Sequence, residues 1–201
     1  MLPEYGKFCA KNGQVRITVY ATGSPWQLGI IKQVPAFIER TEQIFGADLP
    51  HMSFYFFEKR KEFEESYPIL LDSQFPYEHD WHDGTGNVGK VLFCDVNMRG
   101  EMLRGAGDVL HEYGHAMCHT IYGEDYLHHV PSWWNEGTAD FVAAEFYREA
   151  GDATLQILLN EHKNGKFSDF STLTNDFFRY PSASYAIGRL MVQELAQGHE
   201  P

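Results

Sequence analysis

Residues 100–122 carry two patterns that one helix satisfies together. At about 100° per residue, Met102, Ala106, Val109, Leu110, Tyr113, Ala116 and Met117 fall in a single apolar stripe. His111 and His115 lie about 40° apart on the opposite side, one turn from each other. Asp108 and His119 share that polar face. A helix of this kind packs its back on a core and points two imidazoles outward.

The chain has 201 residues, enough to bury a core without disulfides or oligomerisation. Cys9, Cys94 and Cys118 are far apart and form no CxxC, so a disulfide scaffold is excluded. The longest apolar runs, such as 91–94 and 141–144, stop at four residues, and a membrane helix needs about 20. The 16 basic and 28 acidic residues give a net charge of −12. That disfavours nucleic acid, because phosphate binding needs clustered Lys and Arg. Residues 1–7 contain no apolar signal core. This leaves a cytoplasmic location and a secreted or envelope location after processing both open.

The first half reads as α+β. Val15 to Tyr20 alternates apolar and polar residues with β-branching, the pattern of a strand. Ser24-Pro25-Trp26-Gln27 offers an N-cap, a proline at the first helical position and the reach-back Gln of a capping box. The helix it opens is expected to run to about Phe45 and to stop at Gly46. Residues 52–57 read as a buried strand, 59–66 as a short helix ended by Pro68, 72–89 as a polar loop and 90–96 as a third strand. In that loop, residues 78–84 could bind a metal, but the calcium-loop pattern of alternating carboxylates is incomplete, so they read as a plain surface loop. Gly84-Thr85-Gly86-Asn87-Val88-Gly89 has dinucleotide-fingerprint spacing but precedes a strand instead of following one. Helices are expected over about 100–122, 132–150, 152–163 and 183–197, with Gly123, Gly151, Gly165 and Gly198 at or just past their ends. The expected architecture is one domain over 1–201, with an α/β lobe to about 122, a helical lobe beyond it and a cleft between.

His111-Glu112-Tyr113-Gly114-His115 is an HExxH sequence. Two histidines one turn apart can reach one Zn2+ at about 2.0–2.1 Å each, and Glu112 can hold a metal-bound water without ligating the metal. An ordinary polar face with solvated histidines is the alternative. A third histidine ten residues after His111, the metzincin arrangement, is excluded by Ile121. His119, His128 and His129 stay open as third ligands, but Glu136 has a supporting pattern around it. It opens the next helix, and Asp140 shares its face. A carboxylate there can accept a hydrogen bond from the free ring nitrogen of a ligand histidine. Three protein ligands leave one zinc position open for water, as in catalytic sites. Cys118, three residues after His115, reads as a buried, inert thiol.

The HExxH run, followed about twenty residues later by Trp134-Asn135-Glu136-Gly137-Thr138-Ala139-Asp140, resembles the gluzincin branch of zinc metallopeptidases. These are the thermolysin-like and aminopeptidase-like catalytic domains of peptidase clan MA. Asn135-Glu136 with Asp140 is similar to the thermolysin-type Asn-Glu-x-x-Ser-Asp motif, with Ala139 replacing Ser. The Trp-x-Asn-Glu-Gly version resembles short bacterial peptidase-MA-like domains more closely. A late helix beginning Ser184-Tyr185-Ala186-Ile187-Gly188 extends the likeness loosely over residues 50–197.

The resemblance implies a zincin-like fold with one Zn2+ per chain held by His111, His115 and Glu136, Glu112 as general base and Asp140 behind a ligand histidine. It implies strand 90–96 as the edge along which an extended peptide lies, and Tyr185 as the tyrosine that stabilises the tetrahedral intermediate. The chain departs from thermolysin in lacking a clear late catalytic histidine, since His162 and His199 sit in no matching motif. The expected activity is zinc-dependent peptide hydrolysis, endopeptidase rather than exopeptidase because the Gly-Ala-Met-Glu-Asn type of loop is absent. A non-catalytic zinc-binding interaction domain and a zinc hydrolase of a non-peptide substrate are the alternatives. On helix 183–197, Ile187, Leu190, Met191 and Leu195 form the expected packing stripe, with Tyr185 pointing away from it near the helix start.

Overall fold

The computed structural model describes residues 2–46, 48–72, 84–94, 102–123, 125–144, 158–166 and 181–197, with Gln156, Asp169 and Ser171. The readings made above for residues 78–83, 95–101 and 145–155, and for Gly198 and His199, lie outside the described residues.

The aromatic and β-branched runs form one five-stranded sheet. Its strands are β1 (Glu4–Cys9), β2 (Val15–Tyr20), β3 (Met52–Phe57), β4 (Gly84–Asn87) and β5 (Lys90–Cys94), in the order β1-β2-β3-β5-β4. β2, β3 and β5 run parallel in the middle, and β1 and β4 are antiparallel at the edges. Parallel neighbours require crossovers. These are α1 (Pro25–Ile31) and α2 (Val34–Phe45) between β2 and β3, and α3 (Arg60–Leu71) between β3 and β5. Both faces of the middle strands are therefore covered. Phe54, Phe56, Val91 and Phe93 face the core shared with α1, α2 and α4 (Met102–Tyr122), whereas Phe57, Leu92 and Cys94 pack with Phe63 of α3. Each large apolar side chain buried this way contributes about 1.5–3 kcal/mol.

The structure corrects four local expectations. The helix opened by Ser24 does not run to Phe45. It breaks after Ile31 and restarts at Val34, because Pro35 fits only the first turn of a new helix. The Gln27 side chain does reach back, accepting from the Ser24 N–H at 3.1 Å. Pro68 does not end α3, which continues to Leu71 and stops at Asp72 in the left-handed conformation, φ 51°. The loop at 72–89 contains a strand, β4, which alternation could not reveal because half of its four residues are glycine. Finally, strand 90–96 is not an edge. β5 is paired on both sides, with β3 and with β4, so among the described residues the edge on that side of the sheet belongs to residues 84–87.

The expected stripe on α4 is buried. Ala106, Val109, Leu110, Tyr113, Ala116 and Met117 are all 0–1% exposed. Its other face is not left to solvent. After the short α5 (Tyr126–His129), α6 (Ser132–Ala143) packs on α4, and α7 (Pro181–Gln197) packs on α6. Gly114 permits the first approach, since a Cβ there would lie 2.9 Å from Ala139 Cα. Arg40 of α2 ties the far end of α6 to the sheet layer, donating to the carbonyls of Phe141 and Val142 at 3.2 and 3.4 Å. On α7 the packing face is made of small residues. Ala183, Ser184, Ala186 and Gly188 are buried, Ile187 and Leu190 are half-buried, and Leu195 is exposed. Apolarity found only part of the packing surface: Ile187 and Leu190 do pack against Leu158, Ala183 and Ala186, but Leu195 does not, and close backbone approach to α6 selects size rather than hydrophobicity. Among the described residues no helix is long and apolar enough to cross a membrane.

Candidate metal centre

The front of α4 meets the first turns of α6. His111 Nδ1 lies 2.8 Å from Asp140 Oδ1, and His115 Nδ1 lies 3.1 Å from Asn135 Oδ1. Both partners accept, so each imidazole carries its proton on Nδ1 and turns a bare Nε2 lone pair the other way. The two Nε2 atoms are 3.1 Å apart, and each is 3.3 Å from Glu136 Oε2. With both rings neutral, three acceptors thus converge with no donor among them; a proton on His111 Nε2 is instead donated to Glu136. Glu136 is held in turn by Asn135, whose Nδ2 donates to Oε1 at 3.3 Å.

These separations fit a tetrahedral cation. Ligands at about 2.0–2.1 Å from a tetrahedral Zn2+ stand about 3.3 Å from one another. His111, His115 and Glu136 are the group of described residues that could hold a metal ion. Asp140 and Asn135 fix both tautomers from behind. The histidines therefore do not form a solvated polar face. His115 is 9% exposed, and the side chains of His111 and Glu136 are 12% and 15% exposed.

Without a cation the cluster is electrostatically loaded. Burial opposes a charge on His111, but its bonds to Asp140 and Glu136 outweigh this and raise its pKa well above the ordinary value. Burial pushes the Glu136 carboxyl up, while the charge of His115 and hydrogen bonds from both imidazoles pull it far below the usual range. Glu112 is raised by burial. The charges of His115 and His111, and an N–H donated by Gly86, offset this only in part. A bound dication would replace the extra proton on His111.

Glu112 sits under the edge strand. A Cβ on Gly86 would fall 1.8 Å from the Glu112 carbonyl oxygen, and one on Gly84 would fall 2.9 Å from Glu112 Cγ. β4 lies directly on α4 because its inward positions have no side chains. From the other side, the ring of Tyr185 on α7 stands 6.1 Å from that of His111. Burial first, then the charge of Glu136 and a hydrogen bond to it, hold its phenol far above the ordinary pKa. Tyr185 therefore stays a donor at neutral pH.

The other candidates are not in the cluster. His128, His129 and His162 are exposed. His119 is buried beside Tyr126, ring centroids 5.7 Å apart, where burial lowers its pKa. Cys118 is buried, and burial lifts its thiol to about 11. Sequence reasoning did not single out Asn135 as the partner of His115, nor Gly84, Gly86, Gly137 and Gly188. The available signals were its place beside Glu136 and, in β4, glycine at every second position. No family model, curated protein or solved structure matches this chain.

Proposed function

We propose that the chain is a zinc-dependent metallopeptidase of the gluzincin type, with a zincin-like arrangement of its α+β fold. The observation that carries this reading is the convergence of two imidazole Nε2 atoms and the Glu136 carboxylate at tetrahedral spacing, beside the half-buried carboxylate of Glu112. His111, His115 and Glu136 hold the ion, and Asp140 and Asn135 orient the two imidazoles. Zinc in such a site polarises a carbonyl and acidifies a water. Glu112 takes the proton of the attacking water and delivers it to the leaving amine, and its burial raises its pKa toward what that shuttle needs. Tyr185 donates a hydrogen bond to the oxyanion that forms in the tetrahedral state. An extended peptide adds along the free edge of β4, with main-chain bonds giving affinity. This moves the substrate strand from 90–96 to 84–87. Internal cleavage is favoured over end trimming, for the reason given from the sequence.

Metal analysis and a mixed peptide library test this together. The account expects about one zinc per chain and peptide cleavage abolished by a strong chelator. Glu112→Gln should keep the zinc and lose about 10²–10⁴ in rate. Zinc without any hydrolysis would favour an interaction domain, and hydrolysis of esters or amidines alone would favour a non-peptide substrate.

A further inference from the structure

α6 and α7 touch through backbone alone at one crossing. A Cβ on Gly137 would lie 2.4 Å from the carbonyl carbon of Gly188 and 2.5 Å from its oxygen. A Cβ on Gly188 would lie 2.7 Å from the carbonyl oxygen of Trp133 and 3.3 Å from Gly137 Cα. Close-packed interiors do not absorb such overlaps without moving an element. Chemistry flanks the crossing on both helices. Gly137 directly follows Glu136, and Gly188 lies three residues, just under one turn, after Tyr185.

We propose that Gly188 is a positioning residue for Tyr185. The glycine crossing sets how near the phenol stands to the cluster of His111, His115 and Glu136. The inference rests on reading that cluster as a catalytic metal centre. α7 itself supplies none of the three candidate ligands, so Tyr185 reaches the cluster only through the seating of α7 on α6. Ser184 and Ala183, on the N-terminal side of Tyr185, are fully buried. Admitting a methyl at 188 requires α7 to withdraw by several tenths of an ångström or more. An oxyanion donor works over about 2.7–3.1 Å, and a misplacement of about 1 Å can cost about 100-fold. The ligands sit on α4 and α6, whose own close contact at Gly114 and Ala139 is separate, so metal binding should survive.

Gly188→Ala in the full chain tests this with two independent readouts. The first uses 3-fluorotyrosine at position 185 and the metal alone, Co2+ against Zn2+. In the parent chain Co2+ should accelerate relaxation of that fluorine, and no acceleration would overturn the proposal even if the variant failed to fold. In Gly188→Ala about one metal per chain should remain while the Co2+ effect drops; an undiminished effect would also overturn it. The second readout is kinetic. With peptide substrate, kcat should fall about 10- to 100-fold with KM changed less than about threefold. In a Tyr185→Phe background the same substitution should cost less than about threefold. An equal loss in both backgrounds would make Gly188 a general packing residue. If the parent cleaves no peptide but the fluorine results hold, the positioning stands and the peptidase reading fails.

Discussion

Asp140 and Asn135 would act on a bound metal without touching it, by holding the far nitrogens of His111 and His115 at 2.8 and 3.1 Å. Asp140→Asn keeps an acceptor but removes the charge, so it should weaken zinc affinity or activity by about 10–100-fold. Competition against a chromophoric chelator reads this directly, and parent affinity would mean that His111 is oriented by something else. The ligand residues were legible because their spacing is set by one helix and its neighbour. His111 and His115 repeat at one turn, and Glu136 opens a helix with Asp140 one turn on. The part played by Asn135 was not legible, because a residue that serves an imidazole on another helix leaves no periodic trace.

Among the elements, β4 shows best why sequence reading ran out. Residues 84–87 offer no apolar alternation and only one β-branched residue, Thr85, to mark a strand. Their glycines are there because α4 comes so close. Gly86→Ala should therefore destabilise the fold by about 1–3 kcal/mol through overpacking and displace Glu112. Gly6→Ala is the control, since its Cβ would meet nothing nearer than Phe8 Cε2 at 4.0 Å. Urea titration compares the two, and equal midpoints would show that β4 yields without cost. α4 was readable for the opposite reason. Its burial is a matter of apolar surface, which periodicity reports well, whereas the face of α7 is a matter of size.

For the molecule as a whole, a metal bound as proposed would compete with protons for one cluster. In the metal-free chain the raised pKa of His111 adds stability that is fully present below its unfolded value of 6.5 and is lost as pH rises through the folded one. The lowered pKa of Glu136 adds stability present above 4.5 and lost as pH falls through its folded value. Both contributions coexist between 4.5 and 6.5. Zinc bound as proposed would act in the other direction, because it would displace the His111 proton, so its stabilisation should grow from pH 6 to 8. At a thousandfold excess over Kd it reaches about 4.1 kcal/mol. Thermal melts with and without zinc across that range check the sign, and a gap that narrows with pH would count against these ligands. The most direct measurement of the central claim is X-ray absorption at the zinc edge of the loaded protein. The account predicts two imidazole nitrogens at about 2.0–2.1 Å and oxygen at about 2.0–2.2 Å from Glu136 and an open, water-filled position, all lost in a His111→Ala, His115→Ala double variant. A sulfur shell at about 2.3 Å, or an unchanged spectrum in that double variant, would contradict it.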